Sequence, residues 1–369
     1  VHEGLTAAQA GPGRITSIAE WGRVFRDTSV WRPLVLAVLR RHGLAGSPGD
    51  LDIQPGEIAG THAVFVVDRE LVVKIYGPLW DGDSIRELAV LRWLGPRRML
   101  AGDVALPRLI AEGILERCPA GPRGHDWPYA VTGYVPGTPI GAVWPGLSAD
   151  DRRSLAAQLG QALAELHTMD LAGLGLPSPA DGCGGAVGST GGWRDSWHRL
   201  LRSRMVSCPE RHRQWGTLPD HLLADAPRFL AAAGPLPRPG WRPALLSCDV
   251  TADHVLLAGQ GAGWRVAGLI DFGDSMIGDP EYEFTVVFLS ALGQDRGALD
   301  EFLLAYGHRV AWEEGFERRM MAYVLLHEFP LLRELDPQRR DRLWSASDLD
   351  AAADAVWGQS KVPSQGRSG

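Results

Sequence analysis

Lysine is nearly missing from this chain. Of its 37 basic residues only two, Lys74 and Lys361, are lysines, and the rest are arginines. The bias fits genomic base composition, but it makes each lysine informative. Lys361 sits in the polar end "GQSKVPSQGRSG", where any residue is tolerated. Lys74 stands inside the apolar run "RELVVKIYG", where a cation needs a partner. Cysteine is also scarce. The four present (Cys118, Cys183, Cys208, Cys248) form no CxxC pair and no ligand spacing, so they read as free thiols of a reducing cytoplasm. No apolar run reaches about 18 residues, which argues against a membrane span. The opening "VHEGLTAAQAGPGRITS" lacks the basic-then-apolar order of a signal peptide. Excess positive charge is absent as well. A net charge of −7 argues against nucleic acid as a partner and is compatible with a cationic substrate.

What is present reads as two lobes. A chain of 369 residues with 45% hydrophobic and 22% charged residues can build two cores of ordinary composition. Residues 17–43 predict two short amphipathic helices broken near "DTSVW", an N-terminal helical extension over 1–44. "LDIQPGEIAG" predicts a strand and a glycine turn, and "HAVFVVDRELVVKIYG" a hairpin about a polar turn. "DSIRELAVLRWL" has helical spacing after a "DGDS" cap, and "LPRLIAEGIL" and "WPYAVTGYV" predict two more strands. An antiparallel sheet with one helix is therefore expected over 45–135. A helical lobe follows over 136–357, beginning with Ser148 and Asp151 at capping-box spacing. A Gly/Ser-rich loop is expected at 176–194 and a disordered tail at 358–369. Within the helical lobe two strands, 244–257 and 264–272, carry aspartates: Asp249, with His254 five residues later, and Asp271.

These residues suit transfer of a terminal phosphoryl group. A triphosphate needs a lysine on its oxygens and a carboxylate to hold that lysine, for which Lys74 and Glu87 stand ready. A phosphate-facing turn needs glycine, as in Gly60-Thr61-His62. A metal needs hard oxygen ligands, and an attacking hydroxyl needs a base. Each residue also has a plainer reading: Lys74 as an edge lysine, Glu87 as an exposed helix residue, Asp249 and Asp271 as loop caps. Asp279-Pro280 reads as a helix N-cap, Glu283 as structural, and His167 and His198 as packing or surface residues.

The chain resembles the aminoglycoside phosphotransferase family, a branch of the protein-kinase-like fold. The resemblance rests on "SCDVTADHVLL", matching His-Gly-Asp, four residues, Asn and an apolar strand, and on "LIDFGDSMIGDPEYEF", matching Ile-Asp-Trp/Phe with Gly-Asp-Pro. It covers about residues 50–330. It implies an α+β, two-lobed fold with a small antiparallel-sheet N-lobe and a larger, mostly helical C-lobe. It implies Asp249 as catalytic base, Asp271 as magnesium ligand and Lys74 on the phosphates with Glu87 as its partner. Thr132, Gly133, Tyr134 and Val135 would form a hinge for the base of ATP or GTP. Two positions depart from the pattern: Ser247 replaces the motif histidine, and His254 replaces the asparagine that is the second metal ligand. A neutral imidazole nitrogen suits Mg²⁺ less than an amide oxygen. The expected activity is a cytoplasmic small-molecule kinase acting on a hydroxyl of an antibiotic, an aminoglycoside or another hydroxylated natural product, and giving resistance. The alternative is an inactive pseudokinase that binds nucleotide or scaffolds. The chain has no kinase-type Gly-rich loop, HRD or APE signature, which argues against a protein substrate.

Overall fold

The computed structural model describes Ile15 and residues 17–44, 51–58, 60–80, 82–95, 97, 99–115, 127–178, 190–261, 263–308 and 315–358. Of the tail expected at 358–369, all but Gly358 lies outside them, as does most of the 176–194 loop. The chain divides into two compact units. The first comprises 1–99, 105–136 and the returning segment 270–274; the second comprises 100–104, 137–269 and 275–369.

In the first unit, helices α1 (Ile18–Val24) and α2 (Thr28–Arg41) precede strands β1 (Ile53–Pro55), β2 (Ala63–Val67) and β3 (Leu71–Ile75). Helix α3 (Asp83–Leu94) and strands β4 (Leu109–Leu115) and β5 (Trp127–Gly133) follow. The sheet order is β1-β2-β3-β5-β4, antiparallel throughout. The β2–β3 hairpin turns through Asp68, Arg69 and Glu70, the first two at positive φ, and the Glu70 N–H closes it on the Val67 carbonyl at 2.9 Å. Period-two alternation sorts the sheet's two faces. Phe65 and Trp127 are buried on one face with Trp21 of α1 and Trp31 of α2, and the Trp31 and Trp127 rings are 5.1 Å apart. The helices of 1–44 are thus part of this core rather than an appendage to it. On the opposite face, Val64, Lys74 and Ala130 stand abreast, as do Val66, Val72 and Thr132. α3 starts at Gly82 with no side-chain cap, so the expected "DGDS" cap makes no cap hydrogen bond here.

In the second unit, strand β6 (Thr138–Pro139) leads to helix α4 (Ala149–Thr168), which Ser148 caps by accepting the Asp151 N–H. Helices α5 (Thr190–Trp215) and α6 (Asp220–Ala232) follow. α5 begins inside the stretch expected as loop, because Trp193 and Trp197 supply an apolar face that anchors its first turns. Strands β7 (Ala244–Leu246), β8 (Val255–Ala258), β9 (Arg265–Leu269) and β10 (Met276–Gly278) come next. β7 pairs with β10, and β8 pairs with β9 and β6. The unit closes with helices α7 (Pro280–Val286), α8 (Arg296–Tyr306), α9 (Phe316–Leu326), α10 (Pro337–Ser345) and α11 (Leu349–Trp357). No helix among the described residues is long and apolar enough to cross a membrane.

Candidate active site

The first unit contains a cavity of about 160 Å³. Its wall is the sheet face carrying Val64, Val66, Val72, Lys74, Ala130 and Thr132, together with Gly56, Gly60, Glu87, Gly133, Tyr134, Val135, Ile270 and Asp271. Lys74 is 8% exposed, and two carboxylates meet it. Its Nζ lies 2.8 Å from Glu87 Oε2 and 3.1 Å from both oxygens of Asp271. Burial opposes the ammonium charge, but Asp271 and Glu87 outweigh it and hold Lys74 protonated well above the ordinary lysine range. Glu87 is raised above the usual carboxylate range by burial first, with Asp271 adding to the shift and Lys74 opposing it.

Asp271 adopts a left-handed backbone, φ 61°, which is costly for a residue with a side chain. The conformation is held locally: Oδ1 accepts the Gly273 N–H at 3.1 Å, and Arg86 on α3 donates to the Gly273 carbonyl at 2.9 Å. At the other end of the cavity, the turn 60–62 is anchored by its neighbours. Trp21 Nε1 donates to the Thr61 carbonyl at 2.8 Å, and buried His62 accepts the Gly77 N–H. Gly60 lines the cavity, and an added Cβ there would meet nothing within 4 Å. Thr61 is not part of the wall. In the segment 132–135, the Gly133 N–H goes to the Arg108 carbonyl and the Tyr134 N–H to the Glu70 carbonyl. Among the described residues the Val135 N–H makes no such bond, so it is the segment's donor open to a ligand.

The second unit holds Asp249 and His254 on the loop between β7 and β8. His254 Nδ1 lies 2.9 Å from Asp249 Oδ2 and 3.1 Å from the Asp249 carbonyl. With two acceptors beside it, Nδ1 carries the proton and fixes the carboxylate's direction. The loop is pinned at several points. Glu283 Oε1 accepts the Cys248 N–H at 2.7 Å, Ser290 Oγ accepts the Ala252 N–H, and the Ala252 carbonyl accepts the Gly141 N–H. Cys248 is left-handed, φ 62°, so both aspartate loops contain a non-glycine residue in a strained conformation.

Two residues that read in the sequence as structural or packing groups prove central to this loop. Glu283 is wholly buried; besides Cys248 it meets His167 Nε2 at 2.6 Å, and His167 Nδ1 meets the Tyr306 hydroxyl at 2.9 Å. Their signal in the sequence is an acid four residues after Asp279 in "GDPEYEF" and a histidine near the end of α4. Asp279 caps α7 as expected, accepting from the Glu281 N–H and from the Tyr323 hydroxyl. Ser247, at the motif's histidine position, is buried. A second cavity, of about 1120 Å³, lies at the far end of β7 between Arg242 and Tyr306, and none of the expected site residues lines it.

Asp271, its side chain 32% exposed, is a hard oxygen donor of the kind a magnesium ion takes.

This arrangement defines a kinase-type phosphotransferase, and comparison with known proteins agrees. The model of the phosphotransferase enzyme family, which includes the aminoglycoside phosphotransferases, matches residues 58–323, most of the chain. The protein belongs to that family. Solved structures with the same protein-kinase-like fold include an ADP-bound aminoglycoside phosphotransferase APH(2'')-Ib, 16% identical, covering 88% of this chain and 98% of its own with a TM-score of 0.52. The GDP complex of aminoglycoside 2'-phosphotransferase-IIIa is 14% identical, covering 88% and 95% with a TM-score of 0.56. The macrolide 2'-phosphotransferase MphH from Brachybacterium faecium is 20% identical, covering 89% and 99% with a TM-score of 0.51.

Proposed function

We propose that the protein transfers the γ-phosphoryl group of ATP or GTP to a hydroxyl of a small natural product. An antibiotic, whether an aminoglycoside or another hydroxylated compound, is the favoured acceptor, and inactivation of that antibiotic in the cytoplasm is the consequence. The observation that carries this reading is the ion cluster of Lys74, Glu87 and Asp271 on the wall of the 160 Å³ cavity. A purine base is held at the Thr132–Val135 segment, with the Val135 N–H as donor. Lys74 binds the phosphate oxygens, and Glu87 keeps its ammonium in place and charged. Asp249 takes the proton of the acceptor hydroxyl as the oxygen–phosphorus bond forms and the bond to the β-phosphate oxygen breaks. His254 aims the Asp249 carboxylate through its Nδ1–H. Asp271, with His254, would hold magnesium, which supplies positive charge to the phosphate oxygens when bound.

The test is label transfer. Protein, γ-labelled ATP or GTP, magnesium and a panel of hydroxylated antibiotics are expected to give a labelled organic product. Lys74→Met is expected to lower nucleotide affinity and transfer by about 100-fold or more. Unchanged transfer in that variant, or no transfer by the wild type to any acceptor, contradicts the reading.

A further inference from the structure

The 60–62 turn and the Asp271 loop belong to the same unit, and side chains at the start of α3 join them. The line begins at His62, buried at the end of the turn. Its Nδ1 accepts the Gly77 N–H at 3.2 Å, so the proton of the neutral ring stands on Nε2. Nε2 faces Asp83 Oδ2 at 3.3 Å. The ring meets Tyr76 edge-on with centroids 5.0 Å apart, and Trp80 at 6.0 Å, which fixes the direction in which it donates. Asp83 is the first residue of α3, and its other oxygen, Oδ1, accepts from Arg86 Nη2 at 2.7 Å. Spacing of three residues puts both on one side of the first turn.

Arg86 carries the line to the metal-ligand loop. Its Nε donates to the Gly273 carbonyl at 2.9 Å, and its Nη2 also lies 3.8 Å from Asp274 Oδ1. The planar guanidinium thus serves Asp83 and the loop through separate N–H groups, which a lysine could not do. The Gly273 N–H ends the line on Asp271 Oδ1 at 3.1 Å. Gly273 lies against the ion cluster itself. A Cβ added there would stand 3.2 Å from Asp271 Oδ1, 3.7 Å from Glu87 Oε2 and 3.9 Å from Lys74 Nζ. A left-handed aspartate such as Asp271 relaxes unless its surroundings hold it. Here Gly273 holds the carboxylate, and Arg86 holds Gly273. His62, Asp83 and Arg86 do not line the cavity, so they act on a bound nucleotide only through the turn and the loop.

We infer that His62, Asp83 and Arg86 are positioning residues that couple nucleotide binding at the 60–62 turn to magnesium binding at Asp271, an inference that rests on the phosphotransfer reading. A nucleotide that settles on the turn fixes His62 and, through Asp83 and Arg86, steadies the left-handed loop. Coupling between two sites is reciprocal, so a cation on Asp271 tightens the nucleotide along the same line.

The experiment measures the binding of ADP and GDP to the full chain by calorimetry, once with a chelator and once with saturating magnesium. The quantity read is the factor by which magnesium tightens the nucleotide. In Arg86→Gln that factor is expected to fall by about fivefold or more, with the metal-free affinity within about threefold of wild type. A merely structural role would instead weaken both affinities together and leave the factor unchanged, and that result overturns the inference. Asp83→Asn, at the exposed edge of the line, is expected to act in the same direction. Because the two changes interrupt one line, the double variant should lose little beyond the larger single loss; losses that multiply overturn the coupling. A wild-type affinity that magnesium does not alter overturns this inference while the phosphotransfer reading stands. Binding of neither nucleotide overturns both.

Discussion

At the scale of single residues, the sharpest feature is a lysine between two acids. Lys74 is conspicuous in the sequence because almost every other cation is arginine and because its neighbours in the strand are apolar. The strand period explains its position: Val72 and Lys74 face the cavity while Val73 and Ile75 face the core. Glu87 is legible through its spacing on the following helix, and the two meet at 2.8 Å. The ion pair between Lys74 and Asp271 has no local signal, since 197 positions separate them. The motif spacing marks His254 as the second-ligand position, and in the structure its Nδ1 lies 2.9 Å from the Asp249 carboxylate. A ring that aims the base should matter even where metal is saturating. His254→Ala is expected to lower kcat by about 10–100-fold. His254→Asn, which keeps an amide donor and offers an oxygen, should retain more activity. Full kcat in the alanine variant, measured by label transfer, removes this residue from the mechanism.

At the scale of elements, short-range pattern is a good guide and long-range pairing is not. The β2–β3 hairpin, α3 and the cap of α4 follow from signals within a few residues, where turn chemistry and periodicity act. Glu283 reads as structural because "DPEYE" looks like an ordinary helix start. Its use by the Cys248 N–H lies 35 residues back, and its use by His167 lies 116 back. Burial makes that arrangement demanding, because each of these groups loses water and must find a partner. Glu283→Ala is expected to lower kcat by about tenfold or more, with little change in nucleotide KM, and to cost about 2–4 kcal/mol of stability. Glu283→Gln keeps an acceptor for Cys248 and is expected to recover most of both. Kinetics and thermal melts check this pair. A wild-type kcat in the alanine variant would show that the loop does not depend on α7.

At the scale of the whole molecule, the division into units is only partly visible in chain order. The segment 270–274 returns to the first unit long after the chain has left it, and α1 and α2 join that unit's core through Trp21 and Trp31. A bulk charge of −7 is compatible with a cationic substrate but hides where charge is placed, since α5 alone carries six arginines against two acids. Bulk charge also hides how stability depends on pH. His212 is buried, with Nε2 against the Leu325 carbonyl and Nδ1 against the Thr217 hydroxyl. Burial holds its pKa down at about 4, against 6.5 when exposed. The unfolded chain therefore takes up a proton below 6.5 that the folded chain refuses. The stability contributed by neutral His212 is full above 6.5 and is lost as pH falls toward 4, by at most about 3 kcal/mol. His327, depressed by burial and by Arg204 and Arg211, acts in the same direction. Melting temperature should fall between about pH 7 and pH 5, and the fall should be smaller in His212→Gln. An equal fall in both proteins would assign the pH dependence elsewhere.

The central claim is that Asp249 takes the acceptor's proton during phosphoryl transfer. The direct measurement is the turnover of γ-labelled nucleotide by Asp249→Asn, with nucleotide affinity measured on the same sample. Nucleotide binding within about threefold of wild type, with transfer reduced by about 1000-fold or more, is the predicted result. Transfer at the wild-type rate by the asparagine variant would contradict it.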